Sequence, residues 1–357
     1  MKQLINNLRK THNASDKGLK TLIETPESEY LFRNAEKIRR KHHGTDVILN
    51  GVIEFTNYCC NSCYYCDRRA ENRELCRIRL TPDEVLSCAD EGVRLGCTSF
   101  TLCGGEDMKY SDSDICNIIH RIKNAHPDCT ITLSVGERKW KSYNAYKDAG
   151  ADGYLLRHEA INPRLYGNLH PGIMSIENKK RCLWDLKELG YKTGTGFMVG
   201  CPHQTTDDII LDLRFMQDFF PDFAVIEPFM PVAQTPFSIC ERGSIRQTLN
   251  ITAILRLMFP EIYIHDADKL SAFHERGCEL GIKAGANTIS IDLSPENTHK
   301  MHSVYSSNIY SESTAYKQAE DIKRRIQSIG FQLIGSNQDM SDEQIEYDFN
   351  LLNQYTR

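Results

Sequence analysis

Four of the fourteen cysteines in this chain fall within eight residues, CCNSCYYC, Cys59 to Cys66. Cys59, Cys63 and Cys66 are spaced C-x3-C-x2-C. Three thiolates on one short loop can wrap three irons of a [4Fe–4S] cluster and leave the fourth iron without a protein ligand, open to a small molecule. A zinc site asks for four ligands, often as two C-x2-C pairs, and no second pair occurs elsewhere. A thioredoxin-like C-x-x-C expects a following helix, whereas polar DRRAENRE follows here. The spacing does not require Cys60, which leaves a second register open. Cys76, Cys103, Cys201 and Cys278 read as buried thiols, with a second metal site as the alternative.

The surrounding chemistry narrows the setting. At 357 residues, 40% hydrophobic and 25% charged, the chain can bury a large core, and a net charge of −5 gives no basic field for nucleic acid. The N-terminal MKQLINNLRKTHNASDKG has no apolar signal region, and no apolar run approaches the roughly 18 residues of a membrane span. A cytoplasmic location is therefore expected, where thiols stay reduced and a disulfide framework is the weakest reading of the cysteines.

The elements that must position the cysteines follow from periodicity. Segment 1–45 reads as helical, with Leu31, Ala35 and Ile38 on one face before Gly44. Strands are expected at 46–55, 98–103, 129–135, 152–157, 192–199, 223–229, 262–267 and 287–292. Helices are expected at 81–96, 113–126, 175–190, 205–220, 244–259 and 271–285, the first opened by a Thr81–Glu84 capping box with Pro82. Eight alternating strands indicate an α/β fold, a (β/α)8 TIM barrel over 46–293, with a doubly wound sheet as the competitor. A helical tail over 294–357 completes the chain, packed on the barrel. In such barrels chemistry sits at the carboxyl ends of the strands, and the cysteine loop follows the first.

The CCNSCYYC loop, with Tyr65 before its last cysteine and CGGED (103–107) after the second strand, resembles the radical SAM superfamily. The resemblance implies a [4Fe–4S] cluster on Cys59, Cys63 and Cys66 whose open iron binds S-adenosylmethionine (SAM). It also implies reductive cleavage of SAM to a 5′-deoxyadenosyl radical that takes hydrogen from a substrate. No side chain is assigned a catalytic role beyond cluster and cofactor. Tyr65, Gly104, Gly105 and Glu106 are expected to contact SAM, the glycines admitting backbone and Glu106 accepting from the methionine ammonium. Ser134, Glu159, Lys179 and Met198 are expected around the rest of it, Glu159 on the ribose hydroxyls. Lys179 or its neighbour Arg181 would face the methionine carboxylate, and His158 reads as a structural hydrogen-bonder.

EFTNYC, LSVGE, YLLRHEAINPRLY, LKELGYKTGTGFMVGCPHQT and PFMPVAQTPF extend the similarity to the clade of biotin synthase, the maturase HydE and methylornithine synthase, with the HydE pattern matched over about residues 30 to 290. The chain departs from that pattern at Gly153, where HydE has arginine, and at HDADK (265–269), where HydE has threonines. Arg157, Asp266 and Asp268 are the expected substrate contacts, and an aspartate-rich mouth favours an amino-bearing small molecule. The expected function is thus HydE-like radical chemistry on a small substrate, driven by a reductant such as flavodoxin or ferredoxin, with no nucleic-acid or membrane partner. A lysine-type amino-acid mutase and a non-catalytic iron–sulfur electron carrier are the alternatives.

Overall fold

A computed structural model describes residues 1–265, 267–295 and 315–334. Three N-terminal helices, α1 (Lys2–Thr11), α2 (Asp16–Glu24) and α3 (Glu29–His43), precede β1 (Asp46–Thr56). Alternation then runs α4 (Pro82–Arg94), β2 (Ser99–Gly104), α5 (Asp112–Ala125), β3 (Thr130–Ser134), α6 (Trp140–Asp148) and β4 (Gly153–Leu155). It continues with α7 (Pro163–Leu169), α8 (Ile176–Glu188), β5 (Lys192–Val199), α9 (Thr206–Phe219), β6 (Phe223–Pro228), α10 (Ile245–Met258) and β7 (Tyr263–His265). A 3-10 turn (Ala267–Ala272), α11 (Gly277–Lys283), β8 (Thr288–Asp292), α12 (Ala315–Ser328) and β9 (Gln332–Ile334) follow.

The eight expected strands form one parallel sheet in the order β7-β6-β5-β4-β3-β2-β1-β8. The ring closes where Asn287 N–H donates to Ile264 O at 3.1 Å and Ile264 N–H donates to Asn287 Oδ1 at 2.8 Å. The fold is therefore the (β/α)8 barrel. The Thr81 capping box opens α4 with Pro82 at its first turn. Two short helices, α6 and α7, were not legible. The first buries only Tyr143 and Tyr146, too few for a period to emerge. The helix expected over 271–285 is broken, because Gly277 packs so closely on the Leu270 backbone that a Cβ has no room. β9 pairs with the start of β1, from Asp46 opposite Gln332 to Ile48 opposite Ile334.

The strands show two different faces. Outward residues such as Leu49, Ile53, Phe100, Leu102, Ile131, Leu133, Ile289 and Ile291 are buried under the helices and form the core. On β8, β1, β2 and β3 the inward row carries small polar residues: Asn50, Ser99, Thr101, Thr132 and Ser290 lie side by side on neighbouring strands, with Asn50 Nδ2 donating to Thr101 Oγ1 at 3.2 Å and Ser290 Oγ at 3.3 Å. Such barrels are ordinarily filled by bulky apolar layers. Here small polar residues leave space, and a cavity of about 1040 Å³ opens at the amino-terminal end, reaching Asn50, Ser99, Thr132 and Thr288.

Candidate functional site at the carboxyl end of the barrel

β1 ends in the cysteine loop, and one side chain holds that loop in shape. The Arg77 guanidinium donates to four carbonyls, Asn57 O at 2.5 Å, Arg68 O at 2.9 Å, Arg69 O at 2.7 Å and Asn72 O at 3.1 Å. Asn57 holds the returning strand through Cys76 O and Ile78 N, each at 2.8 Å. The loop is tied to the neighbouring GGED turn by Asp107, which accepts from Thr56 Oγ1 at 2.7 Å and pairs with Arg79 at 2.5 and 3.0 Å. Burial pushes the Asp107 carboxyl up, but the Arg79, Lys109 N–H and Thr56 hydrogen bonds outweigh it and hold it below the ordinary value.

Gly104 and Gly105 sit directly beneath the cysteines. A Cβ on Gly105 would strike Tyr58 O and Cys59 Cβ, and one on Gly104 would lie 2.7 Å from Thr56 Cγ2. Cys60 N–H donates to Glu106 O at 3.0 Å, and Tyr64 N–H reaches Leu169 O on α7 at 2.9 Å. Cys60 is exposed, whereas Cys59, Cys63 and Cys66 are part-buried. Cys63 Sγ lies 3.7 Å from Met174 Sδ, and burial pushes the Cys63 thiol up to about 12 and the Cys66 thiol higher still.

The other expected contacts gather around this loop. Tyr65 Oη meets His170 Nε2 at 3.2 Å. Glu106 Oε1 accepts from Glu137 N–H at 3.0 Å, across Gly136, whose φ of +78° and close fit to Glu106 admit no side chain. Lys179 is buried on Glu137, 2.7 Å away. Burial alone would push the Lys179 ammonium down, but Glu137, Glu106 and Cys63 raise it above the ordinary value. Arg181 lies on the solvent side of α8, paired with Asp185. Ser134 ends β3 opposite Cys103, and Met198 lies in a second apolar cluster with Tyr166, Leu169, Cys201 and Phe229.

Arg157 and Glu159 are paired at 3.0 Å, and Arg157 also grips Glu227 from β6. Glu159 is 6% exposed and Glu227 4% exposed, so one guanidinium faces two buried carboxylates. Burial raises the Glu159 pKa above the ordinary value, against the pull of Arg157. Nearby, Glu54 of β1 pairs with Arg68, and Cys103 shares their field with Asp292 and Lys269. Of the expected substrate contacts, Asp266 lies outside the described residues, and Asp268 falls in the 3-10 turn with its side chain outside them. Glu227 and Glu54 were missed, although an acid inside an apolar strand, VIEPF or VIEFT, is itself a signal.

Segment 53–216 matches the model of the Radical SAM superfamily. The chain is 38% identical over 282 residues, 79% of its length and 80% of the relative's, to the [FeFe] hydrogenase maturase subunit HydE of Thermotoga maritima. It is 29% identical over 290 residues, 80% of this chain and 81% of the relative, to the 3-methylornithine synthase of Methanosarcina barkeri. The crystal structure of methylornithine synthase (PylB) superposes with a TM-score of 0.82 at 26% identity, covering 92% of this chain and 97% of that one. The chain belongs to the radical SAM superfamily, in the branch that holds HydE, 3-methylornithine synthase and biotin synthase. It is an enzyme whose cofactors are a [4Fe–4S] cluster and SAM.

The loop suits such a cluster. Among the described residues no three His, Cys, Asp or Glu side chains converge as ligands of a single ion, but in a cluster each thiolate meets a different iron. Three cysteines on one loop, braced by Arg77 and lying against side-chain-free Gly105, match that need. No helix among the described residues is long and apolar enough to cross a membrane.

Proposed function

We propose that the chain is a HydE-like enzyme whose substrate is a small molecule with an amino group, held in the upper lumen. The observation that carries this reading is the pair of buried carboxylates, Glu159 and Glu227, on the single Arg157 guanidinium. If Glu159 turns to the SAM ribose, Arg157 and Glu227 remain as a dipole at the mouth. In that arrangement the Glu227 carboxylate is the acceptor for a substrate amino group, and the Arg157 guanidinium faces a substrate carboxylate. Cys59, Cys63 and Cys66 would hold the cluster. Tyr65, Gly104, Gly105, Glu106, Ser134, Glu159, Lys179 and Met198 would surround SAM, with Arg157 facing the substrate. When bound, the cluster and SAM supply a one-electron reductive cleavage that yields a hydrogen-abstracting carbon radical. The Met198–Tyr166–Phe229 cluster supports the reading by giving that chemistry an apolar wall that excludes water. Flavodoxin or ferredoxin would deliver the electron. A rearrangement of an amino acid is the second reading, favoured by the same carboxylates and by the overall likeness to methylornithine synthase.

The test is anaerobic reconstitution, reduction with dithionite and chromatography for 5′-deoxyadenosine, alone and with amine-, amino-acid- and thiol-bearing compounds. Wild type is expected to form it, faster with an amine-bearing compound, and Cys63→Ala to form none. Protein that takes up no iron would overturn the reading, as would a loaded, reduced enzyme that leaves SAM intact with every compound. Stimulation confined to compounds without an amino group would overturn the substrate class alone.

A further inference from the structure

We propose that Asp212 acts through His158 as a positioning pair that aims the Glu159 carboxylate, a role that rests on reading Glu159 as a SAM contact. Glu159 has a φ of +61°, a left-handed backbone that a residue with a side chain adopts only when its surroundings enforce it. One carboxylate grips the chain on both sides of it. Asp212, on α9 and fully buried, accepts from Ile161 N–H at 2.7 Å through Oδ1, and the same oxygen lies 3.5 Å from His158 Nε2. Glu159 N–H donates to Gly196 O at 3.1 Å and Ala160 N–H to His158 O at 2.7 Å, so the turn is pinned at 158, 159, 160 and 161.

The protons can be placed from the hydrogen-bond inventory. His158 is fully buried between the Phe197 and Phe215 rings, 5.6 and 5.2 Å between centroids. Its Nδ1 lies 2.9 Å from Thr195 Oγ1, whose hydroxyl also lies 2.9 Å from Leu156 O. The Thr195 hydroxyl can donate to Nδ1, which leaves the hydrogen of a neutral imidazole on Nε2, facing Asp212. That tautomer sets a ring N–H 3.5 Å from Asp212 Oδ1, where a bare Nε2 lone pair would be repulsive. The ring cannot turn over without breaking both edges. Burial raises the Asp212 pKa, against the His158 and Ile161 N–H contacts that pull it down. A carboxylate aimed before SAM arrives loses less freedom when it binds.

The experiment is a mutant cycle on reconstituted full-length protein, reading the SAM dissociation constant by equilibrium dialysis for wild type, Asp212→Asn, Glu159→Gln and the double variant. Asparagine keeps an oxygen for Ile161 N–H but carries no charge to hold the ring N–H that faces it at 3.5 Å, so the ring's grip on the turn is weakened. Asp212→Asn is expected to weaken SAM binding roughly tenfold, the low end for loss of an orienting partner, and to add nothing once Glu159 is Gln. Thr195→Val, which removes the other edge, is expected to behave the same way and serves if Asp212→Asn does not fold. A loss of equal size in both Glu159 backgrounds, or no loss in either, overturns the pair while leaving the reading of Glu159 intact. Full SAM affinity in Glu159→Gln alone overturns that reading and the pair with it.

Discussion

The two ends of the barrel are built from the same strands but hold themselves together differently. At the mouth, charge sits on the lumen itself: Glu54 with Arg68, and Arg157 between Glu159 and Glu227. At the base, the lumen carries neutral groups, Asn50, Ser99, Thr132 and Thr288. Charged side chains such as Asp152, Lys192 and Asp222 line the outer part of the base cavity, and its buried arginines sit behind the strands, where Arg39 donates to Ala286, Gly44 and Asp46 carbonyls and Arg256 to Gly285, Pro260 and Ile262 carbonyls. Burial pushes both guanidiniums down, to about 10 and about 9. Buried arginines on backbone carbonyls fix a scaffold, because a planar fork of donors suits several acceptors at once. Buried acids facing a lumen instead create a field that a ligand can complete. The mouth uses the first device once, in Arg77, and there it braces the cysteine loop.

The largest effect should come from the cysteines. Cys59→Ala, Cys63→Ala and Cys66→Ala should each lose iron and reduce 5′-deoxyadenosine to background, while Cys60→Ala keeps both, as iron analysis and chromatography would read. Iron retained by Cys59→Ala but lost by Cys60→Ala would move the register by one residue. Next come the two arginine devices. Arg256→Ala should cost about 3–5 kcal/mol in thermal or denaturant unfolding, as a broken buried network does. Arg77→Ala should cost about 2–3 kcal/mol and, unlike Arg256→Ala, also strip iron from the protein that remains folded. Lys at 77 should not rescue it, since a point charge cannot bridge four carbonyls. Equal iron retention in the two variants would erase the distinction between brace and scaffold. Within the lumen, Glu227→Gln should raise the KM of an amine-bearing substrate at least roughly tenfold. Thr132→Val, of nearly the same shape, should stay within about threefold, since surfaces away from the site move little. A larger effect from Thr132 would place the substrate at the wrong end.

How far these contrasts could be read in advance depends on the range of the interaction. Most of the strands were legible because the outward row is buried under helices and is apolar at every second position. The cysteine loop and GGED turn were legible because their residue types are the chemistry. The short α7, which supplies Leu169 to the loop with His170 directly after it, and the three-residue β9 were not, since neither is long enough to show a period. Arg77 looked like one basic residue among the several in DRRAENRELCRIR. Its four acceptors are backbone carbonyls, which every sequence has, so nothing in the string marks them. The aspartates of HDADK drew attention away from acids already present inside strands. Glu54 and Glu227 alternate with apolar residues and face inward, a position that only a partner such as Arg68 or Arg157 makes tolerable.

The smallest effect is a pH dependence at the base. His43, at the end of α3, accepts from Arg256 Nη1 on its Nε2 at 3.1 Å, so the ring is neutral. Burial, then Arg256 and Arg39, lower its pKa from 6.5 to about 4. Above pH 6.5 neither folded nor unfolded chain protonates this ring, and its contribution is fully present. Below that, the unfolded chain takes up a proton that the folded one refuses, so stability falls until the pH reaches about 4. Discounted for the ring's partial exposure, the loss between pH 7.5 and 5.5 should be about 1 kcal/mol. Denaturant unfolding of the cluster-free protein at the two pH values should show it in wild type and not in His43→Gln, whose amide nitrogen and oxygen do not titrate. A wild type that gains stability on acidification relative to His43→Gln would mean that the ring is charged in the folded chain. The base would then hold a buried charge on its scaffold, as the mouth does on its lumen.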